Sequence, residues 1–509
     1  NLVSPKWWDD LWLNEAFAEF ACHWAAERAT RYTDAWAGHL ASNKLKAYLS
    51  DQGPVSHPIH QPIHDAAQAA SIFDNITYPK GASVLLQLMT YVGEDRFRTG
   101  MAAYFARHAW GNTTLQDLID ALAEASGRDL AAWRRAWLET AGTDRFSLER
   151  EGESVTLVAA GTPRPQVLAV GAYEAKGDSL ERGALVRVEV TGPRTPFTGL
   201  PAPADVLLVN DEDLTFATTR PDATTRDTLF RTAARLPTAI SRGVAAVTVW
   251  DMLTTGEATA AEAGRCITAV LAAETSDAVI EPYLNLAASI AELWAPAGER
   301  AGLTRELAAV CRRLAADPGR RQVALRGLAR TAGDADDLSW LREQAGDDVD
   351  LRWRALVREA ELGTDVSAET ALLLERDPDP DAWIRALTVR AAVPDATAKA
   401  EVWQQLAEDR RVPVSAISQV AAAFWRPSQD ALLAPYAERY LASIPQLHQG
   451  GMIQAMVYTT HLFPPHAVDS AYIEKAQQAA EETPPVVRTS LLERSDMVSR
   501  MLRTRTPSA

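Results

Sequence analysis

The spacing of apolar residues changes twice along this chain, and those changes divide it into three kinds of structure. Up to about residue 145 apolar residues recur at helical spacing. Leu13, Phe17, Phe20 and Trp24 follow Asp9-Asp10, a good N-cap pair, and together they predict a helix. A Pro- and His-rich stretch without periodicity runs from Gly53 to about Asp65 and reads as a loop. A second helix is predicted from Pro79, a favoured first-turn position, to Gly93, with others around 96–108, 114–126 and 130–140. Near 146–219 the period shortens to two. The runs 154–158, 185–190 and 205–209 are strand-like, and Gly and Pro punctuate them, which predicts a small antiparallel β-sandwich. From about Thr224 onward the chain is Ala/Leu/Arg-rich and helical. Arg326-Gly327-Leu328, Arg354-Ala355-Leu356 and Arg385-Ala386-Leu387 recur at intervals of 28 and 31 residues, a period that fits a curved stack of helical hairpins.

With 509 residues there is ample material for several buried cores. The 51 Lys+Arg against 67 Asp+Glu leave a net charge of −16, which argues against nucleic acid as a partner. No apolar run approaches the roughly 20 residues of a membrane span. Cys22, Cys266 and Cys311 are odd in number and far apart, so neither a disulfide framework nor a Cys-based zinc module is supported, and a reducing cytosol fits best. The chain opens on Asn1 rather than on a methionine, within an apolar, Trp-rich stretch. It reads as a fragment of something longer, and a signal peptide is not legible from it.

On a helix at 100° per residue, Leu13, Phe17, Phe20 and Trp24 share one side. Glu15 lies opposite, beside Trp12, Glu19, Cys22 and Ala26. Both sides are largely apolar, which predicts a buried helix. A carboxylate there is costly unless something cationic or metallic compensates it, and on pattern alone a salt bridge to a distant Arg is the commoner answer. Asp9 and Asp10 read as capping and surface groups, Glu19 as a supporting or structural group, and Trp7-Trp8 as core. Further on, Pro79 disfavours helix at Tyr78 and starts one after it, so Tyr78 is expected at a helix mouth. Its phenol, with an ordinary pKa of about 10, stays protonated at neutral pH and suits an oxyanion, although a core Tyr with a satisfied hydroxyl is the simpler alternative. His57, His60 and His64 are too irregularly spaced to suggest a metal site.

The run from Asn1 to Ala18, with Trp12-Leu13-Asn14-Glu15, resembles the segment that follows the HExxH helix in M1-family aminopeptidases, the gluzincins of aminopeptidase N type. The resemblance implies that Glu15 is the third ligand of a single Zn2+, with two His ligands and the general-base Glu lying upstream of Asn1. Tyr78-Pro79-Lys80-Gly81-Ala82 is similar to the family's Y-x-K-G-A motif, which implies that Tyr78 is the catalytic oxyanion donor. Ser56-His57-Pro58-Ile59 also resembles a family element. Leu207 to Phe216 resembles the end of the family's small β-domain, and Leu236 to Arg242 with Trp250 to Leu253 the start of its helical C-terminal domain.

The fold so implied is mainly α with a small β domain. Residues 1–145 are the α-helical C-terminal half of a thermolysin-like catalytic domain, 146–219 a β-sandwich, and 220–509 an α-helical, HEAT/ARM-like superhelical domain. The implied activity is that of a zinc metallo-aminopeptidase acting on peptides with a free N-terminus, in the cytoplasm. Without its HExxH segment the 509-residue chain is expected neither to bind zinc tightly nor to hydrolyse an aminoacyl-arylamide. A non-catalytic helical scaffold of the same fold stays open as the alternative, because the deciding residues lie upstream.

Overall fold

The computed structural model describes residues 2–65, 68–69, 72–151, 154–201 and 204–506; Asn1 lies outside the described residues. The protein is mainly helical with small sheets, and it divides into two compact units. One comprises Asn1–Thr255 with Ala269–Tyr283, the other Gly256–Thr268 with Leu284–Ala509.

The first unit is built around helix α1 (Leu11–Ala29). Trp12, Ala16 and Phe20 are its buried positions, and the Phe20 ring meets Trp24, Trp36 and Phe97 at centroid distances of 5.7–6.0 Å. Leu13, Phe17 and Trp24 are only half-buried, and Ala18, Cys22 and Ala25 are exposed. The helix is therefore not buried all round, as its two apolar sides predict. The outer side is made of small residues, whose exposure forfeits little apolar area.

Two further expectations fail nearby. Trp7 and Trp8 are 54% and 39% exposed, not core. The Trp7 indole N–H donates to the Ile63 carbonyl at 2.8 Å, so the ring clips a loop instead of filling the interior. Asp9 and Asp10 are not surface caps. Asp10 occupies the N-cap position of α1 without bonding it. Its carboxylate accepts the Leu115 N–H at 2.9 Å, at the start of helix Leu115–Ser126, and stands 3.2 Å from His60. Asp9 accepts the Ile63 N–H at 2.7 Å. Orphan amides elsewhere in the fold outcompete those of α1 for both carboxylates.

Short strands β1 (Ser4–Pro5) and β2 (Asn112–Thr113) pair in parallel. The sandwich follows as β3 (Asp144–Glu151), β4 (Ser154–Ala159), β5 (Val167–Lys176), β6 (Ser179–Glu189), β7 (Arg194–Phe197), β8 (Val206–Val209) and β9 (Ala217–Arg220). One sheet runs β7-β4-β3-β9 and the other β6-β5-β8. Alternate residues from both sheets, among them Phe146, Leu148, Leu157, Leu168, Val170, Val188, Leu207 and Val209, form one apolar core. The pairs are antiparallel except β3–β9, which is parallel because β9 returns only after the rest of the sandwich is laid down. Asn210 and Asp213 adopt left-handed backbone (φ +61° and +52°) in the turn after β8. Both residue types tolerate that region, and the turn aims Asp213 into the unit's interior.

In the second unit the helices Arg321–Thr331, Val349–Glu361, Ala382–Ala392, Ile417–Phe424, Met452–Leu462 and Pro485–Arg505 pack successively on one another. The helices between them form a second layer. Arg326, Arg354 and Arg385 fall on three successive members of the first layer, as a two-helix repeat requires. Arg326 and Arg354 both pair with Asp350, while Arg385 pairs with Asp377 and Asp379. Among the described residues no helix is long and apolar enough to cross a membrane.

Candidate active site

Two packed helices bring Glu15 and Tyr78 together. Glu15 lies in the first turns of α1, and Tyr78 lies in the turn Ile76–Lys80 that leads into helix Gly81–Val92. The two helices approach closely at Ala16 and Gly81. A Cβ built on Gly81 would stand 2.7 Å from the Ala16 Cβ, so only glycine fits there. That approach sets the Tyr78 phenol beside the Glu15 carboxylate. Both residues are half-buried. Burial and the carboxylates of Glu15 and Glu19 push the Tyr78 pKa well above its ordinary value, so the proton stays on the phenol.

The helix does not begin at Pro79, and Tyr78 is not outside its mouth. Asp74 starts it, its carboxylate accepting the N–H groups of Ile76 and Thr77 at 2.9 and 3.0 Å. Tyr78 N–H bonds the Asp74 carbonyl at 3.1 Å, so Tyr78 sits inside the first turn. Pro79 has no N–H to give. The Asn75 carbonyl takes the Lys80 N–H instead, at 3.2 Å, which widens the turn to a π-helical one.

Lys80, two residues from Tyr78, is fully buried and pairs with buried Asp51 at 2.8 Å. Asp51 also accepts from the Ser56 and Thr143 hydroxyls, both at 2.7 Å, and from the Gly142 N–H at 3.2 Å. Burial alone would raise the Asp51 pKa, but Lys80 and the hydroxyl donors outweigh it and hold the group below its ordinary value. A second buried pair, Lys44–Asp213 at 2.7 Å, ties the turn after β8 to residues 40–44. The two ammonium groups stand 5.9 and 5.6 Å from the Phe216 ring centroid. The sequence reading missed Asp51, Lys44 and Asp213. Asp51 and Asp213 sit in polar stretches, Ser50-Asp51-Gln52-Gly53 and Asn210-Asp211-Glu212-Asp213, where an acidic residue reads as solvated surface and names no partner.

The loop histidines are not gathered together. His57 pairs with Asp74 at 2.7 Å, His60 with Asp10, and His64 is exposed. His57 thus braces the residue that starts the Tyr78 helix. Burial disfavours charge on His57, yet the hydrogen bond and charge of Asp74 outweigh it and raise its pKa above 6.5. A raised histidine pKa stabilises the fold fully below the unfolded value and loses that contribution as pH climbs through the folded one. The stability gap between wild type and His57→Asn is therefore expected to shrink between pH 6 and pH 9. Thermal melts at both ends of that range check it, and an equal gap at both would remove the charged pair from the account. Glu19, one turn beyond Glu15, accepts from Asn43 at 2.8 Å and lies 3.2 Å from His39 Nδ1.

Two segments of the chain match known protein families. Residues 1–137 match the Peptidase family M1 domain, and residues 206–500 match the ERAP1-like C-terminal domain. The chain belongs to the M1 peptidase family. This M1 chain is 36% identical to "Aminopeptidase N" of Streptomyces lividans over 481 residues, covering 87% of the chain and 56% of the relative. It is 35% identical over 157 residues to "Tricorn protease-interacting factor F2" of Thermoplasma volcanium, and 34% identical over the same length to "Leucyl aminopeptidase" of Saccharolobus solfataricus. Each of these two matches covers 31% of the chain and 20% of the relative. The chain thus spans about half the length of its Streptomyces relative.

M1-family aminopeptidases are zinc metallopeptidases. The residue of the Trp12-Leu13-Asn14-Glu15 run whose chemistry could hold such an ion is Glu15, through its carboxylate. Among the described residues no Lys, Arg or His pairs with it, and its neighbour is the uncharged Tyr78 phenol. A half-buried carboxylate left without a cation is a group that a zinc ion fits. No H-E-x-x-H occurs within residues 1–509.

Proposed function

We propose that Glu15 and Tyr78 serve a zinc metallo-aminopeptidase that releases amino acids from the N-termini of peptides. The observation that carries this reading is the Tyr78 phenol standing beside the Glu15 carboxylate within the segment matched by the M1 domain. Relatives named aminopeptidases support it. The His ligands and the general base would come from an HExxH segment outside these residues, so the 509-residue chain alone is inactive. When bound, zinc polarises the scissile carbonyl and acidifies a water. Glu15 helps to hold the ion. Tyr78 keeps its proton at the phenol oxygen and donates a hydrogen bond to the oxygen of the carbonyl as negative charge develops there. Lys80, Asp51 and Asp74 hold the turn that aims it.

The regions 1–145, 146–219 and 220–509 are proposed as half of the catalytic domain, the small β-domain and the helical domain of that enzyme. The seven sandwich strands, all between residues 144 and 220, support the middle one. Three free cysteines, one of them exposed, support a reducing compartment such as the cytoplasm.

The test is hydrolysis by the longer protein that contains this chain and an HExxH segment. Aminoacyl-arylamides and free peptides should be cleaved one residue at a time, and their N-acetylated counterparts spared. A zinc-loaded parent that cleaves none of them would leave the fold as a helical scaffold.

A further inference from the structure

A second group of metal-type donors lies on the same helix, entirely within these residues. Glu19 and His23 are one turn apart on α1 and share a face, and His39 comes from the helical segment that follows. Their ligand atoms all lie within 4.8 Å of one another.

His39 is 1% exposed, and its hydrogen bonds decide its tautomer. The Ser83 hydroxyl donates to the Pro79 carbonyl at 2.7 Å, so its oxygen is left to accept from His39 Nε2–H at 3.4 Å. Nδ1 then carries a lone pair. Glu19 Oε1 stands 3.2 Å from it, within ion-pairing distance, and no other group bonds it. A nitrogen and a carboxylate so close share a cation, which is a proton in the metal-free pair and is displaced when a metal binds.

The spacing that a shared proton would occupy also accommodates a metal ion. Two bonds of zinc length to donors 3.2 Å apart enclose about 100°, near the tetrahedral angle, and their meeting point lies off the line joining the donors. His23 is half-buried, and its ring centroid lies 4.8 Å from that of His39. Burial disfavours its charged form and lowers its pKa, which favours the neutral ring that can ligate. The surroundings hold the donors in place. Asn43 bonds the Glu19 carboxylate at 2.8 Å, Ser83 orients His39, and Trp36 packs against both imidazoles at 5.4 and 5.3 Å.

We propose that Glu19, His23 and His39 form a binding site for a divalent transition-metal ion of the zinc type, separate from the Glu15 centre. The site does not rest on the reading of Glu15. It also revises the expectation that these 509 residues hold no zinc tightly, which considered Glu15 alone.

Co2+ titration of the purified, tag-free 509-residue chain tests it. The wild type should take up one Co2+ with the visible bands of a tetrahedral ion, and Zn2+ should displace it. His23→Ala and Glu19→Gln should each weaken uptake at least about tenfold, while Glu15→Gln leaves it unchanged. Histidine NMR of the wild type gives a readout that needs no variant. Zn2+ should shift the His23 and His39 imidazole signals and leave the remaining histidines in place. No uptake by the wild type, unchanged affinity in the His23 and Glu19 variants, loss in Glu15→Gln, or shifts confined to other histidines would each overturn the site.

Discussion

In a parent enzyme carrying the HExxH segment, Tyr78→Phe is expected to lower kcat by roughly 10² to 10³ with little change in KM. The substitution removes one hydroxyl and keeps the ring, whose centroid lies 6.2 Å from that of Phe73. The turn holding Tyr78 depends on Asp74, Lys80 and Gly81, none of which contacts the hydroxyl in the bonds described above. The loss would then report a hydrogen bond made to the transition state, not a collapsed site. Burial and two nearby carboxylates keep the phenol protonated, so no fall in activity from its ionisation is expected at neutral pH. Steady-state kinetics on an aminoacyl-arylamide measure the effect, and an unchanged kcat would remove Tyr78 from the chemistry.

Lys80→Met should destabilise the first unit by about 3–5 kcal/mol, because it leaves Asp51 charged, fully buried and without its cation. The remaining donors, Ser56, Gly142 and Thr143, hydrogen-bond the carboxylate but do not neutralise it. The double variant Lys80→Met with Asp51→Leu should recover a large part of the loss, since it removes the charge as well as its partner. Urea unfolding of the 509-residue chain measures both. Equal stability of wild type and Lys80→Met would show that the pair is not what anchors this turn. Acid should act in the same direction. A lowered carboxylate pKa gives stability that is present above the unfolded value of about 3.8 and is lost as pH falls through the folded one.

The elements were legible where a local pattern specifies them. Helical spacing marked α1, alternation marked β4, β6 and β8, and Gly93, with φ +90°, ends its helix as read. Patterns failed where the outcome depended on something far away. Pro79 signalled a helix start, but Asp74, braced by His57 from the loop, supplied an earlier one. Asp9 and Asp10 signalled a cap for α1, but amides of Ile63 and Leu115 claimed them. Trp7 and Trp8 signalled core, yet periodicity carries no information on whether another layer covers a ring.

The sequence, through its resemblance to the M1 motifs, singled out the two groups proposed to carry chemistry, the carboxylate of Glu15 and the phenol of Tyr78. Their residue types sit in short motifs whose spacing a helix and a proline enforce locally. Only the tertiary structure decided that the two meet, because that depends on Gly81 letting its helix close on Ala16. It also decided that Lys80 pairs with Asp51, Lys44 with Asp213, and that Glu19 and His23 find His39 across a chain reversal. Those partners are set by packing between segments far apart in the chain. A buried charge must find its complement there, and no local period encodes which one it will be.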